Sequence, residues 1–285
     1  MSPAGSDCVW PASPLRRIEV SVTTASRAIW VTGASSGLGR SLALELASQG
    51  HQVIASARDK EALLELEALT PSIFALPCDI TDEADMKLAH SKMTDNFKSL
   101  DQVILNAGTC EYLDFPEPDW SAIRRVMETN YFGTVNCLRM ALPLLRKSSR
   151  ARPHVVAIAS QVTDAPFPRA EAYGASKAAM QYFFSSLRID LACENIDVSV
   201  INPGFVDTPL TRRNDFEMPF LMDADDAARR IVAKIESRPR SYSFPRRLQA
   251  LLLLSRLMPW VWQKIVSNDN FSETAKTNTN QDNQQ

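Results

Sequence analysis

The sequence predicts an α/β fold, a single doubly wound domain with about seven parallel strands flanked by helices. Two observations predict it. Short apolar runs alternate along the chain with longer segments of helical periodicity, and this alternation places helices on both faces of a parallel sheet through right-handed crossovers. The chain also has 285 residues, of which 45% are hydrophobic, which suffices for one α/β domain with a large core.

Each predicted strand is a short apolar run, and each predicted helix is a longer segment between two such runs. The strands are predicted at Ala28–Thr32, Gln52–Ala57, Ile73–Cys78, Gln102–Leu105, His154–Ala159, Asp197–Ile201 and, more weakly, Ser241–Phe244. The helices are predicted at Gly37–Ser48, Lys60–Leu69, Glu83–Asn96, Trp120–Leu145, Ala172–Glu194 and Ala224–Ser237. Apolar strands of this kind are expected in a parallel sheet that is covered on both faces.

The two ends of the chain differ in composition from this domain, which is predicted over residues 27–245. Residues 1–26 contain three prolines and several serines but no apolar run long enough for the core of a signal peptide, so a flexible leader is expected. Residues 267–285 are rich in Asn, Gln, Thr and Ser and are predicted to form a disordered polar tail.

An apolar helix is predicted at residues 246–266, between the domain and the tail. Its large apolar residues are Leu248, Leu251, Leu252, Leu254, Trp260 and Trp262. Charges and Pro259 interrupt it, so it does not qualify as a standard membrane-spanning helix. Two roles stay open. The segment is either a lid or subunit-packing helix, the latter implying a homo-oligomer, or an interfacial membrane helix with Trp anchors and flanking Arg and Lys.

The composition argues against several classes of function. A net charge of −2 gives no basic excess for binding nucleic acid. The five cysteines are scattered without a Cys-x-x-Cys or a Cys/His cluster, which argues against a metal site and a disulfide scaffold and suits a reducing compartment. We therefore expect a cytoplasmic protein without a metal, peripheral at a membrane only if residues 246–266 make that contact.

A glycine pattern lies where the first strand should turn into the first helix. It reads Thr32-Gly33-Ala34-Ser35-Ser36-Gly37-Leu38-Gly39. Glycines there allow a tight turn, close approach of backbone N–H groups to a pyrophosphate and close helix–sheet packing, and the helix N-terminus favours the anion. The pattern therefore predicts a Rossmann-type dinucleotide site.

A tyrosine and a lysine four residues apart predict acid–base chemistry. Tyr173 and Lys177 share one face of a predicted helix, so the ammonium can favour the phenolate and lower the pKa of Tyr173. Ser160 follows the predicted strand His154–Ala159, at the edge where open α/β sheets bind ligands. An ordinary surface pair is the alternative for Tyr173 and Lys177, and the position of Ser160 argues against it.

With other residues in the same order, these make the chain resemble the short-chain dehydrogenase/reductases over about residues 27–244. The shared motifs are Thr32–Gly39, Asp79-Ile80, Asn106-Ala107-Gly108, Asn130, Ser160, Tyr173-x-x-x-Lys177 and Pro203-Gly204. The resemblance implies an oxidoreductase that transfers a hydride between a nicotinamide cofactor and a carbonyl or alcohol substrate. A nucleotide-binding regulatory or scaffold module without turnover is the alternative, which Asn130 and Ser160 disfavour because binding alone does not need them.

The resemblance also implies roles for single residues. Tyr173 would donate a proton, and Ser160 would donate a hydrogen bond where negative charge accumulates. Lys177 would also bind the nicotinamide ribose, and Asn130 would hold a water of the proton relay. The cofactor would be bound by Gly33, Ser35, Ser36, Gly37, Leu38, Gly39, Asp79, Ile80, Asn106, Ala107, Tyr173, Lys177, Pro203, Gly204, Val206 and Thr208. Asp79 would accept from the adenine amino group, with a helix cap as its alternative role.

The end of the second strand favours NADP(H) over NAD(H). NAD enzymes of Rossmann type place a carboxylate there, which accepts from the ribose 2′-hydroxyl. Here the strand ends at Ala57 and Arg58 follows it. A guanidinium suits a phosphate, so Arg58 is predicted to bind the 2′-phosphate, and a solvated loop arginine is the alternative.

The segments after Ser160 and Thr208 are expected to build the substrate wall. They contain residues 165–168, Pro209-Leu210 and residues 218–222, which are apolar and aromatic. A sugar site would need several polar groups, so an apolar carbonyl or alcohol is the expected substrate. Gln161 stands where the resemblance suggests a second serine, and it is expected to change substrate contacts rather than the chemistry.

Overall fold

The computed structural model describes residues 26–270, without the side chains of residues 265 and 267–270. Its strands are β1 (Ala28–Thr32), β2 (Gln52–Ala57), β3 (Ile73–Pro77), β4 (Gln102–Leu105), β5 (His154–Ile158), β6 (Asp197–Pro203) and β7 (Ser241–Phe244). They form one sheet in the order β3-β2-β1-β4-β5-β6-β7, and every neighbouring pair is parallel. The predicted doubly wound sheet is confirmed.

Helices cover both faces of this sheet. They are α1 (Gly37–Ser48), α2 (Lys60–Ala68), α3 (Glu83–Asn96), α4 (Ser121–Met127), α5 (Thr134–Leu145), α6 (Glu171–Leu191), α7 (Ala224–Ile235), α8 (Arg246–Leu257) and α9 (Pro259–Asn270). Buried residues of α3, α5 and α6 form the core on one face, and those of α1, α2 and α7 form the core on the other.

Alternate residues of each strand supply the two cores. Trp30 of β1 packs with Met93 and Phe184 on one face, whereas its neighbours Ile29 and Val31 pack with α1 and α7 on the other. All five side chains are fully buried. The order of the strands reverses between β1 and β4, so the carboxyl ends of these two strands flank a crevice.

Two predicted helices differ from the structure. The helix predicted over Trp120–Leu145 is interrupted by a π-helical segment, Glu128–Gly133, between α4 and α5. The single helix predicted at 246–266 is two helices, because Pro259 begins a new one, a position that suits proline.

The predictions for the chain ends and the cysteines have different outcomes. The backbone of α9 continues to Asn270, so the first four residues of the predicted tail are helical. The remainder of that tail, and the predicted leader apart from Ser26, lie outside the described residues. Cys193 is disulfide-bonded, which the scatter of cysteines did not predict.

Candidate active site

The carboxyl ends of the strands open onto a cleft of about 410 Å³. Arg58 and every other residue predicted to bind the cofactor line it, from Gly33 in the first turn to Thr208 after β6. Ser160 also lines the cleft, whereas Asn130 does not. Lining residues that the sequence did not single out include Asp59, Cys78, Thr129, Ile158, Ala159 and Thr211, and their only signal was their position beside predicted ones.

The turn between β1 and α1 is shaped by glycines. Gly33 and Gly37 have φ values of +69° and +50°, a region that other residues rarely adopt. A Cβ at Gly39 would lie 2.1 Å from the carbonyl oxygen of Gly33, so only glycine permits this approach of helix to strand. Ser36 is the N-cap residue before α1, and its side chain makes no capping hydrogen bond. The first N–H groups of the helix are therefore left for a ligand.

The end of β2 presents a cation and a carboxylate. Arg58 is exposed at the cleft, as the NADP(H) prediction requires. Asp59 was not considered from the sequence, although it also lines the cleft. Its carboxylate accepts from the backbone N–H of Ala62 at 3.0 Å and so caps α2. One oxygen of the carboxylate is thus used to cap its own helix.

Hydrogen bonds join the neighbouring loops. The Thr32 hydroxyl accepts from the backbone N–H groups of Asn106 and Ala107, each at 3.0 Å, and so ties the end of β1 to the end of β4. Asp79 accepts from the backbone N–H and the hydroxyl of Thr81, at 2.9 and 2.7 Å. Asp82 caps α3, so the capping alternative for Asp79 is wrong, and its contact with adenine stays a prediction.

The structure brings Ser160, Tyr173 and Lys177 together. Tyr173 and Ser160 line the same cleft, and the Ser160 side chain lies near enough to act on the pKa of Tyr173. The Lys177 ammonium lies 5.8 Å from the centre of the Tyr173 ring and donates to the carbonyl oxygen of Ile158 at 3.0 Å. Lys177 is 4% exposed, so its charge is almost completely removed from bulk water.

The pKa of Tyr173 shifts in the direction opposite to the one that the sequence predicted. Burial raises the pKa of Tyr173, the Cys110 thiol adds to this, and the Ser160 side chain opposes it. Burial also lowers the pKa of Lys177 to about 8. The expected lowering of the tyrosine pKa by Lys177 is therefore wrong for this structure, because desolvation dominates and the ammonium is directed at a backbone carbonyl.

Asn130 lies behind the cleft, in the π-helical segment. It is fully buried, its Oδ1 accepts from the Thr109 N–H at 2.7 Å, and its Nδ2 donates to the Thr109 carbonyl and to the Ser176 hydroxyl, each at 2.9 Å. A Cβ at Gly108 would lie 3.2 Å from Asn130 Oδ1 and 3.4 Å from Lys177 Nζ. Glycine thus leaves a small space between these two polar atoms. The role of Asn130 in a proton relay stays a prediction.

An arginine that the sequence did not single out joins three loops at the rim. The Arg169 guanidinium contacts Asp114 at 2.5 Å and Asp215 at 2.8 Å, and lies 4.8 Å from the centre of the Tyr112 ring. Its backbone carbonyl accepts from the Leu113 N–H at 3.0 Å. The loops after β4, before α6 and after β6 are therefore held together by one side chain.

The predicted substrate wall is only partly in place. Pro209 and Leu210 line the cleft, but Ala165 and Phe167 pack with Leu248, Leu252 and Trp262 of the C-terminal helices. The prediction that residues 165–168 face the substrate is therefore wrong for Ala165 and Phe167, because α8 and α9 cover them.

Gln161 belongs to the same region. It is buried and its Nε2 lies 3.5 Å from the Pro245 carbonyl oxygen, so it faces the start of α8. Two polar residues of the loop after β6 have partners of their own: Arg212 pairs with Asp207 at 2.8 Å, and Asn214 accepts from the Tyr112 hydroxyl.

These features fit a dinucleotide bound along the cleft. The glycine turn and the uncapped N-terminus of α1 suit a pyrophosphate, and the Arg58 guanidinium stands at the β2 edge. Ser160, Tyr173 and Lys177 supply hydrogen-bonding and acid–base groups further along the same cleft.

Comparisons with known proteins agree with a dinucleotide-binding cleft of this kind. The family model of the short chain dehydrogenases matches residues 27–218. An uncharacterized oxidoreductase of Myxococcus xanthus is 35% identical over 82% of this chain and 93% of its own length. The 11-beta-hydroxysteroid dehydrogenase A of Arachis hypogaea is 32% identical over 74% of this chain, which spans 61% of that relative.

Solved structures show the same fold. A short chain dehydrogenase of Burkholderia cenocepacia in complex with NADP is 26% identical, with a TM-score of 0.72 over 85% of this chain and 97% of that one. A 3-ketoacyl-(acyl-carrier-protein) reductase of Brucella melitensis complexed with NADH is 24% identical, with a TM-score of 0.67 over 76% and 96%, which bears on the fold alone. The family match, over more than half of the chain, shows that the chain belongs to the short-chain dehydrogenases.

Proposed function

We propose that this chain is an NADP(H)-dependent oxidoreductase that transfers a hydride between the cofactor and an apolar carbonyl or alcohol. The observation that carries the proposal is the convergence of Ser160, Tyr173 and Lys177 in one cleft with the glycine turn. A module that only binds nucleotide would have no need of Ser160 in that cleft.

The preference for NADP(H) is proposed from Arg58. The cation lines the cleft where the 2′-group of the adenosine ribose is expected, and one oxygen of the Asp59 carboxylate caps α2. One similar structure holds NADP and another holds NADH, so the comparisons alone leave both cofactors open.

The side chains suit reduction of a carbonyl. The cofactor, when bound, supplies the hydride. Because the pKa of Tyr173 is raised, its hydroxyl keeps its proton at neutral pH and can donate it to the oxygen on which negative charge develops. Ser160 lines the same cleft and can donate a second hydrogen bond to that oxygen.

Lys177 connects this acid to the interior. Its pKa of about 8 keeps the side chain mostly protonated at neutral pH, yet close enough to neutrality to pass a proton on. The space at Gly108, within 3.4 Å of Lys177 Nζ and 3.2 Å of Asn130 Oδ1, is where a bridging water would connect the two groups.

The proposal is tested with a panel of apolar and polar carbonyl compounds, by following NADPH and NADH oxidation in parallel. We expect turnover with NADPH on apolar compounds, and we expect Tyr173→Phe to keep less than about a tenth of it, since the transferable proton is gone. Binding of NADPH to that variant should stay within a few-fold of wild type. Substantial turnover in Tyr173→Phe would exclude the tyrosine as the acid, and preference for sugars would exclude the apolar substrate.

A further inference from the structure

The surface of α8 that faces away from the domain is a feature that the active site does not explain. Leu248, Leu252 and Ser255 are the buried residues of this helix. On the opposite side lie Arg246, Ala250, Leu253 and Leu257, at helical spacing, with Arg247 and Leu254 beside them. We call these six residues, together with Met258 and Trp260, the outer face. Its apolar members are unusually exposed, with Leu257 at 78% and Trp260 at 70%.

The inner side of the same helices is firmly held. Arg256 donates to the carbonyl oxygen of Asp164 at 2.9 Å, and the Trp262 indole donates to that of Pro166 at 2.7 Å. Leu248 and Leu252 pack with Ala165 in the cluster described above. The exposure of the outer face therefore follows from how α8 is docked, and a rotation that buried it would break these contacts.

The charges of this segment have one sign. Residues 246–266 contain four Lys or Arg and no Asp or Glu, although the chain as a whole carries a net charge of −2. Arg246 and Arg247 form the first turn of α8, where the helix dipole disfavours cations. Within residues 26–270, neither forms an ion pair. Ion pairing within the described residues therefore does not explain these two arginines, and this favours a contact with another molecule.

This combination of charge and exposure selects one kind of occupant. A second copy docking through its own outer face would place four arginines in one interface, with no acidic side chain in either outer face to pair with them. An anionic lipid surface suits both components, because phosphate groups pair with arginine while leucine and tryptophan enter the interface. No helix of the described residues is long and apolar enough to cross a membrane, so the contact would lie in the plane of the surface.

We propose that the outer face of α8, with Trp260, binds the surface of anionic membranes. The contact is peripheral and reversible, and it adds to the chain a property that the hydride-transfer chemistry does not require. It does not rest on the proposed function, because binding can be measured without turnover.

The test is co-sedimentation of the full chain with vesicles of phosphatidylcholine alone and of equal parts phosphatidylcholine and phosphatidylserine. We expect binding to the second kind at low salt and its loss at high salt, because screening weakens the arginine contacts. Arg246→Gln with Arg247→Gln should weaken binding about 25-fold, or about fivefold for each arginine. Lys92→Gln with Lys98→Gln, which alters two exposed cations of α3 and the loop after it, is the matched control and should bind as wild type.

The apolar contribution is tested by Leu254→Ser, Leu257→Ser and Trp260→Ser together, which should abolish sedimentation. Leu69→Ser with Leu88→Ser is its control, since both leucines are at least 55% exposed elsewhere on the surface. Thermal unfolding of each variant shows that the fold is kept. The proposal would be overturned if the chain bound neither kind of vesicle, or if the outer-face variants bound vesicles as well as wild type does. The proposal would also be overturned if the full chain bound no lipid and the outer-face variants instead lost a dimer or the binding of an acidic protein.

Discussion

At the nucleotide end of the cleft the chain is shaped by backbone, whereas at the substrate end it is held by side chains. Gly33, Gly37 and Gly39 create the turn after β1 through positive φ values and a close helix–strand approach within seven residues. At the other end, Arg169 joins Asp114 and Asp215, which lie 55 and 46 residues away in sequence. The first arrangement depends on local sequence and tolerates almost no substitution. The second depends on distant partners and leaves its loops free to vary.

The largest expected effect breaks the nucleotide end. Gly39→Ala places a methyl group 2.1 Å from a backbone oxygen that cannot move away without opening the turn, and overpacking of this kind costs about 3 kcal/mol. We expect NADPH affinity, measured by fluorescence titration, to fall by about 100-fold. Gly174→Ala is the control, because a Cβ there meets nothing within 4 Å. Equal affinities in the two variants would show that the turn is more adaptable than the comparison assumes.

The next effect concerns the choice of cofactor. Arg58→Ala should weaken NADPH binding by about 1.5–3 kcal/mol, the range for hydrogen bonds to a charged group, and leave NADH binding nearly unchanged. Arg230→Ala removes an exposed arginine of α7 away from the cleft and should change neither affinity. If Arg58→Ala weakens both cofactors alike, the guanidinium does not read the 2′-phosphate.

A pH profile tests Lys177, which lies where the two ends meet. The lysine assists as an ammonium, and burial lowers its pKa to about 8. Activity is therefore present below that value and lost as the pH rises through it, so kcat/KM for reduction should fall about tenfold per pH unit on the alkaline side. The raised pKa of Tyr173 keeps the tyrosine protonated across this range. A kcat/KM that stays constant up to about pH 9 would contradict the assignment to Lys177.

The smallest effect is expected at the substrate rim. Arg169→Ala removes the tie between three loops and should raise KM about fivefold, the scale of a partly exposed ion-pair network, while the affinity for NADPH stays constant. Arg146→Ala, which breaks an ion pair with Glu194 at 2.5 Å outside the cleft, is the control. A parallel loss of NADPH affinity in Arg169→Ala would mean that the two ends are coupled.

The same contrast explains what the sequence could predict. The strands and the glycine turn were predictable because apolar runs and glycine spacing are local patterns. The break at Glu128–Gly133 was not, since apolar periodicity hardly changes when one turn of a helix widens. Pro259 does carry a signal for the boundary between α8 and α9, because proline suits the first position of a helix.

Other properties depend on three-dimensional surroundings. The direction of the Tyr173 pKa shift depends on burial, which spacing along a helix does not report. The contacts of Arg169 join residues so far apart that no local pattern marks them. For the same reason, Phe167 was assigned to the substrate wall although the C-terminal helices cover it.

The tie at Arg169 has an evolutionary consequence. Asp114 and Asp215 are 68% and 63% exposed, and substitutions at exposed positions usually change the free energy of unfolding by no more than about 0.5 kcal/mol. A lineage carrying this chain can therefore exchange either partner, or remodel the loop that bears it, while the sheet stays folded. Single substitutions can change these loops through stable intermediates, while the nucleotide-binding turn stays unchanged.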